Sequence, residues 1–177
     1  MIGYLAVTTQ EPFYLGGVLV ADEYGLPVEF RHTLPVRPTK LQRALYGAAL
    51  DRYLRSAVIA QRLVSGLEHD PAVVLVSDVT LAREARLPLA FLEESGVDPV
   101  GRPGAVEPFT GAGAGFLLQL RAGEAPLRLV TEAPVHLYPE IGKALVEAAQ
   151  TMDLFEPMER VRAGLALIAA GDVGLAA

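Results

Sequence analysis

The chain of 177 residues contains no cysteine, no tryptophan and no asparagine, and only two of its residues are lysine. Because thiols are absent, disulfides, thiolate nucleophiles, iron–sulfur clusters and cysteine-ligated zinc are excluded together. The bias towards Ala, Leu, Gly, Pro and Arg is typical of a GC-rich genome. The depletion of thermolabile residues is typical of a hot environment, so the composition is thermophile-like.

Long apolar runs are also lacking. No stretch approaches the roughly 20 apolar residues that span a bilayer, and the first residues carry neither a basic segment nor the apolar core of a signal peptide. Apolar residues make up 51% of the chain and charged residues 20%, which excludes a disordered polypeptide. We therefore expect a soluble, cytoplasmic protein without a membrane partner. We expect one α/β domain over residues 1–177, with a Gly/Pro-rich loop at about 96–115 and a frayed tail at 171–177.

The first half of the chain predicts a three-stranded antiparallel meander followed by a helix and a central strand. The meander strands fall at residues 2–9, 16–22 and 26–33, with a glycine-terminated turn before the third. Thr39, preceded by Pro38, is a typical cap for a helix from residue 40 to about 68. The run at 72–77 is apolar without alternation, which indicates a strand covered on both faces.

The second half predicts more helix than strand. The segments are a short helix at 81–94, a hairpin over 116–121 and 127–132, and two closing helices at 139–152 and 157–170. The expected fold class is therefore α/β (α+β): a meander plus a central strand, helices packed on the sheet, and a C-terminal hairpin with two helices.

A basic window stands out in this acidic chain. Residues 31–62 hold seven arginines and lysines against one acid, a net charge of +6; since the whole chain is −6, the remainder carries −12. Projected at 100° per residue, Asp51, Arg52, Arg55 and Arg62 share one helical face. The sequence predicts an anion- or partner-binding surface formed by Arg37, Lys40, Arg43, Arg52, Arg55 and Arg62. The alternative is a solvated face whose cations pair with the chain's own acids.

A weak internal sequence repeat indicates a second group of residues. Residues 26–36 and 125–135 align without gaps, and each is followed by a basic residue and then a helix with an early lysine. His32 and His136 lie at equivalent ends of the two segments. Together with Lys143 and with an acid that directly follows the central strand, they form a candidate second-shell or alternative site: His32, Asp78, His136 and Lys143. Histidine pairs with metal-ligand spacing are absent from the sequence, so we expect no metal site built on histidine and no cofactor.

Two resemblances add to this interpretation. The order strand–strand–strand–helix–strand–helix–strand resembles the ribonuclease H-like fold, whose nucleases carry an Asp in the first strand and another acid at the end of the fourth. Asp78 matches the second position, whereas the first strand offers Thr8 and its neighbours, so this resemblance implies a non-catalytic relative. Separately, the stretch from Gly16 to Gly47, with its Pro-Val-Arg-Pro-Thr-Lys-Leu-Gln motif at 35–42, is similar to a family of uncharacterised bacterial proteins and implies no activity.

Three functional hypotheses follow from the sequence. The first is non-catalytic binding of nucleic acid or an acidic protein through the basic helix face. The second is metal-assisted hydrolysis of a phosphoester with Asp78 as ligand or base. The third is an assembly subunit whose Ala- and Leu-rich terminal helices form a homo-oligomer.

Overall fold

The computed structural model describes residues 1–84, 89–109 and 113–171. In this part of the chain eight strands form one sheet, in the order β3-β2-β1-β4-β5-β8-β7-β6. The strands are β1 Ile2–Gln10, β2 Phe13–Ala21, β3 Pro27–His32, β4 Val74–Val76, β5 Leu89–Glu94, β6 Val106–Phe109, β7 Gly115–Leu118 and β8 Leu127–Thr131.

The sheet confirms the predicted meander and central strand. β1 pairs antiparallel with β2, and β2 pairs antiparallel with β3. β4 lies parallel to β1 on one side and to β5 on the other, and all three of its residues are buried. The C-terminal hairpin forms between β7 and β8, and β8 also pairs antiparallel with β5. The predicted α/β (α+β) fold class is therefore confirmed.

Helices cover both faces of the sheet. They are α1 Lys40–Tyr46, α2 Leu50–Arg52, α3 Gln61–Ser65, α4 Val79–Glu84, α5 Tyr138–Ala148 and α6 Glu156–Ala170. Thr39 caps α1 as predicted, because its side chain accepts a hydrogen bond from the Gln42 amide while the Gln42 side chain accepts one from the Thr39 amide. None of the described helices is long and apolar enough to cross a membrane.

Two apolar clusters hold the layers together. On one face, alternate residues of β1 and β4 such as Leu5 and Val76 pack against residues 50–65. On the other face, Tyr4 and Leu75 pack against α5 and α6. This alternation follows from the two-residue period of a strand, which sends successive side chains to opposite faces.

Adjacent glycines in β2 let both helical layers approach the sheet. A Cβ atom on Gly16 would lie 2.2 Å from Cγ2 of Ile59 on one face. A Cβ on Gly17 would lie 3.0 Å from Cδ2 of Leu165 on the other face. The pair Gly16-Gly17 is therefore a close-packing point between the sheet and both helical layers.

The chain between α1 and α3 is not a regular α-helix. It contains a 3₁₀ turn at Gly47–Ala49, then α2, and then a π-helical segment at Tyr53–Ala60 that ends where the Gln61 amide donates to the carbonyl of Ser56. Because a π turn is wider than an α turn, the projection at 100° per residue fails here. Arg52 and Arg62 are exposed, whereas Arg55, which was expected on the same face, is partly buried.

Two other predictions need correction. The predicted helix at 81–94 is wrong: α4 is short, and the Leu-Ala-Phe-Leu-Glu-Glu segment forms β5, because strands β4 and β8 pair with it on either side and override its local helix propensity. The predicted loop at 96–115 contains β6, which pairs with β7. Residues 85–88 and 110–112, and the predicted frayed tail from 172 onwards, lie outside the described residues.

Candidate functional site

Asp78 lies just beyond the end of β4, in the middle of the sheet. Its Oδ1 accepts hydrogen bonds from the backbone amides of Thr80 at 3.0 Å and Leu81 at 3.2 Å, and from the Thr80 hydroxyl. These contacts fix one carboxylate oxygen at the start of α4, as expected for an aspartate that precedes a helix. The other oxygen, Oδ2, points to the layer formed by residues 50–65.

Arg55 meets that second oxygen from the π-helical segment. Its Nη2 donates a hydrogen bond to Oδ2 of Asp78, and its Nη1 lies 3.9 Å from Oδ2 of Asp51. The Arg55 side chain is 23% exposed and that of Asp78 is 31% exposed, so the pair is partly shielded from water. The Nε of Arg55 is buried and finds no hydrogen-bond partner within the described residues. A single guanidinium therefore faces two carboxylates and retains unused donors.

Asp51 extends the cluster to the meander. Burial raises the pKa of Tyr14, and the charge of Asp51 and its hydrogen bond with the Tyr14 hydroxyl raise it further. The Asp51 side chain is 58% exposed, which leaves it open to solvent on its other side. A series of polar contacts thus links Tyr14 on β2 to Asp51, Arg55 and Asp78. These residues lie at the end of the sheet where β1 and β4 end and β2 begins.

The strand beside Asp78 supplies no acid. β1 and β4 run in parallel register with Leu5 opposite Val76, and the Ser77 amide donates to the Leu5 carbonyl. Extending that register by two residues places Val7 opposite Asp78, and Val7 is 6% exposed within the apolar cluster. Of Thr8 and its neighbours, the residues where the ribonuclease H-like resemblance expects a first-strand acid, the one in register with Asp78 is thus the buried Val7.

The residues present do not fit a metal ion held by the protein. Hydrolytic metal centres on phosphodiesters need several converging carboxylate, histidine or water ligands. Within residues 1–84, 89–109 and 113–171, no group of three or more acids or histidines is placed to hold a metal. Asp51 and Asp78 both face Arg55 and not a common site between them.

Five of the six residues predicted to form the binding surface are exposed: Arg37, Lys40, Arg43, Arg52 and Arg62. None of these five forms an ion pair within 4.0 Å of another described residue; Arg37 instead lies over the Phe13 ring, 5.7 Å from its centroid. Arg55 alone of the six is paired with acids. Within the basic window, the alternative in which the chain's own acids neutralise the cations therefore holds for Arg55 and for Arg31, which pairs with Glu29 and Glu68, and not for the other five.

The residues predicted from the internal repeat do not assemble into one site with Asp78. His32 ends β3 at the edge of the sheet, where its Nδ1 lies 3.0 Å from the Thr33 carbonyl oxygen. His136 is exposed in a 3₁₀ turn after β8, and Lys143 is exposed on α5 beside Glu147. Four strands separate β3 from β8 in the sheet, and neighbouring strands lie about 4.8 Å apart. Asp78 is the member of that group that joins the cluster around Arg55.

Sequence reasoning missed Tyr14, Asp51 and Thr80 as members of the cluster. Asp51 precedes Arg55 by four positions, which is a recognisable spacing for an ion pair on a helix. Asp78 and Thr80 bracket the start of a helix, which is a recognisable capping signal. Tyr14 carries no such signal because only the strand pairing brings β2 close to the helix.

A second network of charges lies at the opposite end of β4. Glu29 on β3 accepts hydrogen bonds from Nε of Arg31 at 2.5 Å and from the backbone amides of Glu68 and His69; Nδ1 of His69 lies 3.0 Å away. Burial alone raises the pKa of this carboxyl, but the hydrogen bonds outweigh it and lower the pKa to about 2. This network ties the end of the helical layer to the edge strand.

Comparison with known proteins finds similarity in structure but not in sequence. No family model and no curated protein sequence matches the chain. Endonuclease V from Bacillus subtilis superposes with a TM-score of 0.53 at 16% identity, over 97% of this chain and 80% of that one. Ciona intestinalis endonuclease V, a D234N variant in complex with a 23-mer DNA containing an inosine followed by a ribo-adenosine, gives a TM-score of 0.51 at 10% identity, over 97% and 86%. At these identities the likeness shows a shared fold.

These comparisons correct the first functional hypothesis. The solved structures that share this fold are named as endonucleases. They contradict the prediction of a non-catalytic binding protein and agree better with the hydrolase alternative. The predicted membership in a bacterial family without assigned activity finds no matching family model.

Proposed function

We propose that this chain is an enzyme that hydrolyses phosphodiesters of nucleic acid, with Asp78 as the reacting carboxylate and Arg55 as the group that holds the phosphate. The observation that carries the proposal is the contact between Arg55 and Asp78 at the end of a central strand, in a fold shared with endonuclease V. In open sheets of this kind, reacting groups lie outside the carboxyl ends of the strands.

The finer fold assignment is also part of this proposal. The strands β3-β2-β1-β4-β5, with β4 and β5 parallel to β1, support a ribonuclease H-like core to which β8, β7 and β6 are added. The neighbours' own activity does not carry over with the fold, because one fold can hold different sites. The proposed chemistry therefore depends on the side chains of this chain.

Asp78 is suited to activate water. A carboxylate within hydrogen-bond reach of a water molecule acts as a general base, typically giving a 10²- to 10⁴-fold acceleration. The water oxygen attacks phosphorus, its proton passes to Asp78, and the phosphorus–oxygen bond to the leaving sugar breaks. The departing oxygen keeps the electron pair of that bond and takes a proton from solvent. The hydrogen bonds from Thr80 and Leu81 keep the carboxylate oriented during this step.

Arg55 is suited to bind the phosphate that reacts. A guanidinium has five donors in a planar fork, and such a fork matches the oxygens of a phosphate. Arg55 directs one donor to Asp78, and its side chain is partly exposed. It therefore places positive charge beside the carboxylate, where negative charge develops on the phosphate oxygens.

The exposed cations supply the remaining contacts to the nucleic acid in this proposal. Arg52 and Arg62 flank Arg55 along the same helical layer, and Arg37, Lys40 and Arg43 lie at its start. Cations without a carboxylate partner attract the phosphates along a nucleic-acid strand, and their binding releases the counterions condensed on that nucleic acid. In an acidic protein this localised charge is what lets a polyanion approach.

The test is cleavage of end-labelled DNA and RNA oligonucleotides, single-stranded and duplex, by the purified chain. Each substrate is incubated with Mg²⁺ and separately with a chelator. We expect cleavage that is lost in Asp78→Asn and retained in Asp98→Asn, an exposed acid in the loop before β6 that serves as the matched control. Absence of cleavage on every substrate in both conditions, or equal cleavage by Asp78→Asn, contradicts the proposal.

A further inference from the structure

The cluster at the end of β4 already contains a cation. Nη2 of Arg55 bonds to Asp78, and Nη1 lies 3.9 Å from Asp51, so the guanidinium stands between two carboxylates that come from different elements. Asp78 is fixed on its other oxygen by Thr80 and Leu81. Both acids are thus arranged around a single positive group that belongs to the protein.

The neighbouring strand adds no metal ligand to the cluster. Extending the register of β1 and β4 by two residues places Val7 opposite Asp78, and valine has no donor atom for a metal. Mg²⁺ is bound through one or two carboxylates together with water and phosphate oxygens, and it requires near-octahedral geometry. With Arg55 in place, Oδ2 of Asp78 is not available to a metal ion without loss of its ion pair, and Oδ1 already accepts the hydrogen bonds from Thr80 and Leu81.

We propose that Arg55 is the resident cation of this site and excludes a divalent metal ion from Asp78. The guanidinium then supplies the positive charge at the phosphate, and the carboxylate acts on water as a base rather than as a metal ligand. The catalytic roles of Arg55 and Asp78 in this inference rest on the proposed function. The exclusion of the metal ion depends only on the side chains of the cluster.

The experiment measures binding of Mn²⁺, by electron paramagnetic resonance of the free ion, to the wild type and four variants without nucleic acid. The variants are Asp78→Asn, Arg55→Gln, Arg55→Lys and the double variant Arg55→Gln/Asp78→Asn. We expect the wild type and Asp78→Asn to bind the same amount of Mn²⁺. We expect Arg55→Gln to gain one Mn²⁺ per chain, because two carboxylates lose their cation, and the double variant to lose that ion again.

Arg55→Lys separates the charge of Arg55 from its shape. A lysine retains the positive charge between the acids, so this variant should not gain an ion. Circular dichroism of each variant shows whether the fold is retained. If Arg55→Gln leaves an unpaired acid and unfolds, the comparison of wild type with Asp78→Asn still tests the inference, because Mn²⁺ that the wild type binds and Asp78→Asn does not bind overturns it.

The outcomes distinguish this inference from the proposed function. Binding of Mn²⁺ by the wild type that Asp78→Asn abolishes overturns the inference, even if the chain cleaves nucleic acid. Failure of folded Arg55→Gln to gain an ion also overturns it, because Arg55 is then not what keeps the metal out. Absence of cleavage alongside the expected Mn²⁺ pattern overturns the proposed function and leaves the exclusion of the metal supported.

Discussion

Arg55 and Asp78 are joined across two elements by a hydrogen bond from the arginine Nη2 to the aspartate Oδ2. Arg55 comes from a π-helical segment and Asp78 from the residue that follows β4 by two positions. π turns inside helices are often found at functional sites. The wider turn directs Arg55 towards the sheet, while Arg52 and Arg62 remain in solvent.

This pair should show measurable coupling in folding stability. Both side chains are partly exposed, so solvent reduces the interaction below that of a fully buried pair. We expect a double-mutant cycle with Arg55→Gln and Asp78→Asn to give a coupling free energy of about 1–2 kcal/mol. Urea unfolding of the four proteins measures it, and additive effects of the two substitutions would show that the contact does not contribute.

The exposed arginines should control the salt dependence of binding to nucleic acid. In the Asp78→Asn background, where cleavage is blocked, we expect Arg52→Gln and Arg62→Gln each to lower the slope of log K against log salt by about 1. Arg121→Gln is the control, since Arg121 is exposed in the turn between β7 and β8, far along the sheet. Titration of a fluorescent oligonucleotide at several salt concentrations gives the slopes, and equal slopes for all variants would exclude these arginines from the interface.

Glu29 should give the chain an acid-sensitive contact. Its pKa is lowered to about 2 in the folded state from an ordinary value of 4.5. A lowered carboxyl pKa adds stability that is present above pH 4.5 and is lost as the pH falls towards 2. We expect Glu29→Gln to be less stable than the wild type at pH 7, and the difference between the two to shrink below pH 4.5.

Chemical unfolding of both proteins between pH 7 and pH 2.5 measures that difference. The other carboxyls titrate in both proteins, so their contributions cancel in the comparison. A difference in the free energy of unfolding that stays constant over this range would show that the hydrogen bonds to Glu29 do not favour its ionised form.

Gly16 should tolerate no side chain. A methyl group there would meet Ile59 at 2.2 Å and Leu63 at 3.1 Å, in the layer that carries Arg55. Overpacking of this kind typically costs about 1–3 kcal/mol, so we expect Gly16→Ala to lower the melting temperature clearly. Gly96→Ala is the matched control, because a Cβ at Gly96 meets nothing within 4 Å. Equal melting temperatures for the two variants would contradict the packing described here.

Local patterns in the sequence predict part of this molecule. The alternation and turn residues of the first third yield the meander, and Thr39 with Gln42 yields the start of α1. The segment at 89–94 is misread because its Leu and Glu residues favour a helix until β4 and β8 pair with it. A single domain, a cytoplasmic location and a homo-oligomer stay predictions.

The site was predictable only where its signals are local. Arg55 and Asp78 are each visible in the sequence, the first by charge and the second by its position after an apolar strand. Their contact cannot be predicted from the sequence, because the π-helical segment changes the direction of Arg55 and no periodic pattern in the sequence indicates that segment. Tyr14 joins through strand pairing, which is likewise a long-range property.

The most direct test of the central claim is the single-turnover cleavage rate of wild type and Asp78→Asn on the same labelled oligonucleotide, with both proteins purified side by side. We expect Asp78→Asn to be slower by at least about 100-fold and still to bind the oligonucleotide with an affinity close to that of the wild type. Equal rates for the two proteins, or no cleavage by either, would contradict the role of Asp78.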